Sequence, residues 1–306
     1  MSNASIEHVD KVLAYLNENG ESETLQHFNI NIETLHRYQR KRRFWETKSP
    51  KILLLDIETA RMIFGGWRIG KQRVSPDQII KDWFMLGWSA KWLFDSKTMS
   101  DFVTAEEALA RDDSRICKGI WKLMNDANVI ISHNGKRFDI PKLNTRFILN
   151  HMQPPMPYQT VDTFQVAYKQ FSFASASLNY LSLIMHRKEK LHTDYKLWID
   201  CENGKQESID YMHEYCIADT NILEEVYLEL RPWIKSHPNL AVLMEAEAPC
   251  CPNCGGFEFD EGEGYYTTPQ NKYITVRCTS CGAINRKKTS EISAKCKNNL
   301  LVPIAR

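Results

Sequence analysis

The stretch Lys51-Ile-Leu-Leu-Leu-Asp56-Ile-Glu58 decides how the middle of this chain folds. Its consecutive apolar residues, followed by two acids, predict a buried strand with a polar end. Asp56 and Glu58 stand at positions i and i+2, so both side chains point to the same face of the strand. Carboxylates in this arrangement supply the hard oxygen ligands that a divalent metal ion needs. A lone pair of this kind is far more often a plain polar strand end.

Strand-like and helix-like patterns alternate after this stretch. Apolar or aromatic runs at 82–93 and 129–132 predict further strands. Helical periodicity is found at 116–125, 141–150, 178–185 and 208–230. Strands interleaved with helices predict an α/β domain built around one sheet.

A second acidic position follows the apolar run at 129–132. The segment His133-Asn134-Gly-Lys136-Arg-Phe138-Asp139 leads into a helix that we expect to begin near Pro141, a position that proline favours. Asp139 is then the predicted N-cap. An N-cap aspartate needs no catalytic role, so this position alone fits a structural reading as well as a functional one.

A third acidic position lies on the predicted helix at 208–230. Tyr215 and Asp219 stand at i and i+4 and therefore share a face. His213 lies six residues before Asp219, about 600° around the helix, and points elsewhere. The helix geometry favours Tyr215 over His213 as the partner of Asp219, although an ordinary amphipathic helix with a surface aspartate has the same pattern.

Together the three positions form an ordered set: DxE on the first strand, NxxxFD before a helix, and YxxxD on a late helix. This set resembles the DEDD superfamily of 3′–5′ exonucleases, and its YxxxD form resembles the DEDDy branch, which includes proofreading domains of DNA polymerases. The segments Val161-Asp162-Thr163 and Leu178-Asn-Tyr-Leu181 also resemble the stretch between the second and third motifs. The resemblance covers residues 51–235 and implies a ribonuclease H-like mixed sheet flanked by helices.

The resemblance also implies roles for the acids. Asp56 would bridge two Mg²⁺ or Mn²⁺ ions, Glu58 and Asp219 would complete one metal site, and Asp139 would act mainly through water at the other. Without such cations, four converging carboxylates would repel one another. One ion would lower the pKa of the attacking water and the other would stabilise the leaving 3′ oxygen. Tyr215 would orient the attacking water through its hydroxyl.

The loop before Asp139 offers further candidate contacts. By the same resemblance, Asn134 would touch the terminal nucleotide. Lys136 and Arg137 are expected to contact phosphate, although a solvated loop pair fits equally well. Phe138 is expected to anchor the loop in the core rather than to stack on a base.

Paired cysteines mark the C-terminal block, residues 245–306. Cys251-Pro-Asn-Cys254 and Cys278-Thr-Ser-Cys281 are separated by 23 residues, and each pair is followed by a glycine. Four thiolates at this spacing suit tetrahedral Zn²⁺, and the pattern resembles a zinc ribbon. Cys250 is an alternative to Cys251. So short a block cannot bury enough core by itself, which makes the zinc structural. Basic side chains predict a nucleic-acid surface, with protein docking as the alternative: Arg277, Arg286, Lys287 and Lys288.

The N-terminal block, residues 1–48, is predicted to be helical. A helix ending at Asn19-Gly20, a short helix from Ser22 to Phe28 and a third from about Ile32 to Phe44 resemble a helix-turn-helix domain. Thr34, Arg37 and Tyr38 would then lie on or near its DNA-reading face. The proposed nucleic-acid contacts here are Arg37, Arg40, Arg42 and Arg43. A small helical cap with a solvated basic end is the alternative.

Composition and charge fit these three domains. The 306 residues carry a formal net charge of +1, which gives no global argument for nucleic-acid binding. The charge is uneven, however, because 36–48 hold six Lys or Arg against one Glu, and 272–306 hold eight against one Glu. The N-terminus lacks the pattern of a secretory signal, and no run of about 18 apolar residues exists. Nine Cys with paired CxxC spacing favour metal binding in a reducing compartment, hence the cytoplasm.

The sequence therefore favours a metal-dependent 3′–5′ exonuclease acting on DNA, with two Mg²⁺ or Mn²⁺ ions and one structural Zn²⁺. The same four acids serve RNA equally well, so an RNA-processing exonuclease is the first alternative. A non-catalytic DNA-binding adaptor that retains the fold is the second. The set of domains suits a phage or bacterial role in replication or repair, with a protein partner from those processes, in the host cytoplasm if a phage encodes the chain.

Overall fold

The computed structural model describes residues 6–32, 34–36, 38–39, 50–186, 191–301 and 304, with only the backbone at 6, 7 and 261–263. The chain divides into two compact units. Residues 50–230 belong to the first, and residues 4–49 with 231–306 belong to the second. The division into three domains at 1–48, 51–235 and 245–306 stays a prediction.

The described residues contain the following elements. The strands are β1 (Ile52–Thr59), β2 (Ile63–Phe64), β3 (Ile79–Lys81), β4 (Met85–Trp92), β5 (Met99–Phe102), β6 (Val129–Ser132), β7 (Gln159–Asp162), β8 (Phe259–Thr268), β9 (Asn271–Cys278) and β10 (Ile284–Arg286). The helices are α1 (Ile6–Asn19), α2 (Glu21–His27), α3 (Ala105–Ala110), α4 (Ser114–Asp126), α5 (Asp139–Leu149), α6 (Thr163–Gln170), α7 (Leu178–His186), α8 (Tyr195–Glu202), α9 (Gln206–Leu230), α10 (Leu240–Leu243) and α11 (Ala294–Asn298). None of these helices is both long enough and apolar enough to cross a membrane.

A five-stranded mixed sheet forms the first unit, in the order β5-β4-β1-β6-β7. The apolar run that begins β1 is buried, with Leu53, Leu54 and Leu55 fully inaccessible. This strand lies at the centre because it pairs antiparallel with β4 and parallel with β6. Such strands are covered on both faces and therefore read as continuous apolar runs. The predicted α/β fold with a mixed sheet flanked by helices is confirmed.

Helices cover the two faces of this sheet. Ser89, which pairs with Asp56 across β1 and β4, donates its hydroxyl to the Cys216 carbonyl at 2.7 Å. This contact holds α9 on the face that carries Asp56. Trp88 points to the opposite face, where its indole N–H donates to the Ile116 carbonyl at 2.8 Å. That bond holds α4 against the other side of the sheet.

The structure corrects one predicted boundary. Helix α5 begins at Asp139, so its N-cap is Phe138 and not Asp139 as the sequence predicted. Pro141 lies at the third position of this helix rather than at its start. A first-turn proline is tolerated because the N–H that it lacks has no partner within the helix. Asp139 therefore lies one residue inside the helix, in its first turn.

The N-terminal helices of the second unit share a small apolar core. Gly20, with φ +81°, separates α1 from α2, and the described residues at 32, 34–36 and 38–39 are also helical. Leu35 and Tyr38 are three residues apart on one helical face and are buried, Tyr38 to 6% exposure. The expectation that Tyr38 lies on a DNA-reading face is wrong, because its ring is buried in the core that it forms with Val9, Val12 and Leu35. The helix-turn-helix assignment itself stays a prediction.

Candidate functional site

Backbone contacts bring Asp139 to the acidic end of β1. One oxygen of its carboxylate, Oδ1, accepts a hydrogen bond from the Ile57 backbone N–H at 3.2 Å. Ile57 lies between Asp56 and Glu58, so the first two predicted acidic motifs meet at one place. Asp139 is only 3% exposed, whereas Asp56 and Glu58 are half-buried.

Helix α9 brings the third motif to the same place. The thiol of Cys216 lies 3.5 Å from Asp56 Oδ2. Burial raises the pKa of this thiol well above its ordinary value, and the charges of Asp56 and Glu58 raise it further. Asp219 lies three residues after Cys216 and is buried, while Tyr215 is half-buried against the core. The five predicted catalytic residues thus lie on three elements that converge at the β1 acids.

His213 points away from this site, as helix geometry predicted. Its Nε2 lies 2.6 Å from the Ser100 hydroxyl, and its ring stacks on Phe102 with the centroids 4.7 Å apart. Both partners belong to β5, the edge strand of the sheet. His213 is therefore a packing residue of the sheet edge.

The acids form a looser group than the cysteines described below. Among the residues that the structure describes, no three of these carboxylates have oxygens within 4.8 Å of one another. Burial, with a smaller contribution from the Asp162 carboxylate, raises the pKa of Asp139 to about 7. A divalent cation would favour the ionised form, and carboxylate oxygens are the ligands that Mg²⁺ and Mn²⁺ prefer. The donor set therefore fits the predicted ions.

Asp162 is a site residue whose role the sequence reading missed. It is buried, and its carboxylate accepts hydrogen bonds from the backbone N–H groups of Asn134 at 3.0 Å, Lys136 at 3.2 Å and Gln165 at 3.1 Å. The first two bonds hold the loop before Asp139, and the third caps α6. An Asp directly before a helix is an N-cap signal, but the long-range contact to the loop has no sequence signature.

The loop at 133–138 is more exposed than expected. Asn134 adopts φ +66° and is half-buried, whereas Lys136 and Arg137 are exposed. Phe138 is 41% exposed, so the expectation that it anchors the loop in the core is wrong. Its ring instead lies 4.9 Å from the Lys142 ammonium group. Asp162 and the backbone hold this loop in place of an apolar anchor.

A cleft of about 700 Å³ begins at Thr59, the last residue of β1 and the neighbour of Glu58 in the sequence. Its aromatic and cationic lining was not predicted, because the residues come from segments far apart in the chain. The Lys142 ammonium group lies 3.8 Å from the Trp83 ring, and Arg61 binds Glu202 and lies 4.8 Å from the Tyr195 ring. The residues that line the cleft are Thr59, Ala60, Arg61, Met62, Trp83, Lys142, Thr193, Asp194, Tyr195 and Trp198.

Gly135 offers a test of the tight packing around Asp139. A Cβ at this position would lie 2.0 Å from Ser132 Oγ and 3.2 Å from Asp139 Oδ2. Ser132 is buried and has little room to move. We expect Gly135→Ala to lower the free energy of unfolding by about 1–3 kcal/mol, as overpacking does. Urea titration measures this change.

Gly65→Ala is the matched control. A Cβ at Gly65 meets no atom within 4 Å. Its effect should stay within about 0.5 kcal/mol. Equal stability of the two variants would show that the loop tolerates the added methyl group.

The four cysteines of the C-terminal block form a compact metal-binding group. Their sulfur atoms all lie within 4.8 Å of one another, and the set is Cys251, Cys254, Cys278 and Cys281. The Cys251–Cys281 and Cys254–Cys278 sulfur pairs are 3.7 and 3.6 Å apart. A tetrahedral ion with bonds of about 2.3 Å to sulfur places its ligands about 3.8 Å apart. The spacing therefore fits Zn²⁺.

Two turns shape this group. Gly255 and Gly282, with φ +75° and +79°, follow the two CxxC pairs, and glycine adopts this left-handed conformation without steric cost. Their N–H groups donate to the carbonyls of Cys251 and Cys278, both at 2.8 Å. Hydrogen bonds from neighbouring thiols, that of Cys254 foremost, lower the pKa of Cys251 to about 7. Cys250 is not part of the group.

The predicted nucleic-acid contacts outside the first unit divide into two sets. Arg277 and Lys287 are exposed, on β9 and directly after β10. The described residues do not include Arg37, Arg40, Arg42 or Arg43, so the structure places none of these four side chains.

A family model agrees with this fold. Residues 89–231 match the family model RNase_H_2 of the RNase_H superfamily. That range includes Asp139, Tyr215 and Asp219 and begins after Asp56 and Glu58. A structure of the family B DNA polymerase from the hyperthermophilic archaeon Pyrobaculum calidifontis is similar at 14% identity and a TM-score of 0.43. The similarity covers 74% of this chain but 32% of the polymerase, so the chain spans about a third of that protein.

The comparison with curated proteins gives no match. The mixed sheet flanked by helices and the match over 89–231 together support a nuclease of the RNase H-like superfamily.

Proposed function

We propose that this protein is a metal-dependent 3′–5′ exonuclease of the DEDDy type that hydrolyses phosphodiester bonds from the 3′ ends of DNA. The observation that carries the proposal is the Asp139 carboxylate bound to the Ile57 N–H, between Asp56 and Glu58, with Cys216 on α9 beside Asp56. These contacts bring α5 and α9, which carry Asp139 and Asp219, to the Asp56–Glu58 segment of the central strand β1. A structural role needs no such convergence.

Each residue has a defined task in this mechanism. Asp56, Glu58, Asp139 and Asp219 would hold two Mg²⁺ or Mn²⁺ ions, which when bound stabilise the charge on the attacking and leaving oxygens. The Tyr215 hydroxyl orients the attacking water. An ordinary tyrosine pKa near 10 favours this orienting role over proton removal. Asn134 and Lys136 lie on the loop that Asp162 holds, where they contact the terminal nucleotide and its phosphate.

The flanking blocks supply affinity for the substrate. The N-terminal block contributes Arg37, Arg40, Arg42 and Arg43, and the C-terminal zinc ribbon contributes Arg277 and Lys287. Phosphate contacts of this kind give binding that weakens as salt increases. Such a protein acts in replication or repair in a phage-infected or bacterial cytoplasm, beside a protein partner from those processes.

A panel of substrates labelled at the 5′ end tests the proposal. Matched single-stranded DNA and RNA and duplex DNA are incubated with Mg²⁺, with EDTA, and with Mg²⁺ restored after EDTA. A ladder of products that shorten from the 3′ end only with Mg²⁺, faster on DNA, is the expected result. Faster shortening of RNA would favour an RNA-processing enzyme. Binding without any shortening would favour a non-catalytic adaptor.

A further inference from the structure

The three-stranded sheet of the second unit has one face that is independent of the zinc group. In the order β10-β9-β8, Tyr266 pairs with Tyr273, Thr275 with Arg286, and Arg277 with Ile284. Residues directly opposite each other in an antiparallel sheet, and residues two apart along a strand, share a face. These six residues therefore form one surface, which we call the outer face.

The opposite face packs on the metal group. Phe259 pairs with Cys278, and both belong to the small cluster of buried residues around the cysteines. Tyr265, which pairs with Ile274, also points to this side. Tyr265 is itself 57% exposed, and the Lys272 ammonium group lies 3.6 Å from its ring centroid. The cysteine group thus accounts for the packing at the Phe259 end of the inner face but not for the composition of the outer face.

The outer face exposes aromatic and apolar groups beside cations. Tyr266 and Ile284 are 52% and 61% exposed. The Arg286 guanidinium lies 4.0 Å from the Tyr273 ring centroid and 5.7 Å from that of Tyr266. Asp260 pairs with Arg277 at the zinc-proximal end, whereas Arg286 at the tyrosine end pairs with the uncharged Thr275.

Further exposed cations follow β10 along the chain. Lys287 and Lys288 follow Arg286 directly and are exposed, as are Lys295 and Lys297 on α11. Over 272–306 the chain has eight Lys or Arg against one Glu. A polyanion with exposed planar rings matches both the cations and the tyrosine pair.

We propose that the outer face is a stacking platform for single-stranded nucleic acid, with bases on Tyr266 and Tyr273 and phosphates on Arg286 and Lys287. This proposal rests on the proposed function and extends it, because it states that the C-terminal block binds single-stranded rather than duplex nucleic acid. Bases in a duplex are already stacked on each other and cannot reach a flat protein surface. Aromatic side chains beside a positively charged groove bind single strands of any sequence. Two rings side by side across two strands accommodate about two nucleotides.

Equilibrium binding to a labelled oligonucleotide tests this platform. The probe is 5′-fluorescein-labelled (dT)12, titrated with the full chain without Mg²⁺ and followed by fluorescence anisotropy. All proteins carry Asp219→Asn, so binding is read without cleavage. We expect Tyr266→Ala and Tyr273→Ala each to weaken binding about tenfold, the typical loss of one base stack. Tyr266→Phe, which keeps the ring, should bind within about twofold of the parent.

Tyr265→Ala is the matched control, because this tyrosine is the neighbour of Tyr266 and points to the inner face. It should change affinity by less than about twofold. Arg286→Ala should remove about one phosphate contact. The slope of log affinity against log salt concentration should therefore become shallower by about one. Zinc content of each variant, measured by mass spectrometry, establishes that the ribbon is intact.

Three results would overturn the platform. They are unchanged affinity in Tyr266→Ala with zinc retained, an equal loss in Tyr265→Ala, and a loss in Tyr266→Ala that is as large for duplex DNA as for (dT)12. The first result would favour a protein, rather than a nucleic acid, as the ligand of the outer face. The exonuclease proposal fails separately, because it is tested by Mg²⁺-dependent shortening, whereas (dT)12 binding is read in the absence of cleavage.

Discussion

Asp219→Asn is expected to slow Mg²⁺-dependent shortening of a 5′-labelled strand on the order of a thousandfold or more. Asp219 is 4% exposed on α9, three residues after Cys216, whose thiol lies 3.5 Å from Asp56 Oδ2. Replacing the carboxylate with an amide keeps the shape of the side chain but removes the negative charge that binds a divalent ion. Asp56→Asn, on β1, should have an equal effect, because both carboxylates serve the same ions.

The fold should survive this change. A buried carboxylate is costly to keep ionised without a cation, so its neutral isostere should leave the thermal midpoint unchanged or raise it. Glu214→Gln is the matched control, since Glu214 is an exposed acid on the same helix. It should retain the parental rate. Parental rates in both Asp219→Asn and Asp56→Asn would refute the proposed mechanism.

If the four-cysteine group holds zinc as proposed, Cys251→Ser should release the ion and unfold the C-terminal block. The described core around the cysteines is small, with Phe259 and Ala283 among its few apolar members. Structural zinc contributes about 10–16 kcal/mol in small zinc domains, far more than such a core supplies. We expect zinc per chain to fall from one to near zero after dialysis, and limited proteolysis to cut within 245–306.

Cys250→Ser provides the matched control, one residue away. The Cys250 thiol lies outside the four-sulfur group, and burial raises its pKa to about 11, so it is a poor thiolate donor. This variant should retain one zinc and resist the protease. Zinc loss in Cys250→Ser with retention in Cys251→Ser would assign the ligand to Cys250, the alternative that the sequence left open.

The elements that the sequence predicted well are those with local causes. The apolar run at the start of β1 is buried, and Val129–Ser132 forms β6 with the predicted bounds. Residue spacing also predicted the long helix α9. It predicted further that Tyr215 shares a face with Asp219 whereas His213 points elsewhere. Strands β5 and β7 were not predicted, because each mixes apolar and polar residues and lacks the continuous apolar run that marks β6.

Side-chain environment was harder to predict. Phe138 and Tyr38 were assigned opposite environments from those they have, since an aromatic ring suits either a core or a surface. Asp162 supports its loop across 28 residues of sequence, and the cleft at the end of β1 is lined by residues from four separate segments. Nothing local to these residues records such contacts.

The sequence by itself determined the chemistry of this protein: the ordered acids, the paired cysteines and the alternation of strands and helices. These follow from residue type and spacing, which a helix or strand converts directly into shared faces. The tertiary structure decided which groups meet, because contacts between distant segments depend on the packing of the whole sheet. It alone placed Asp139 on the Ile57 N–H, chose Cys251 over Cys250 as part of the four-sulfur group, and set Tyr266 and Tyr273 side by side on an open face.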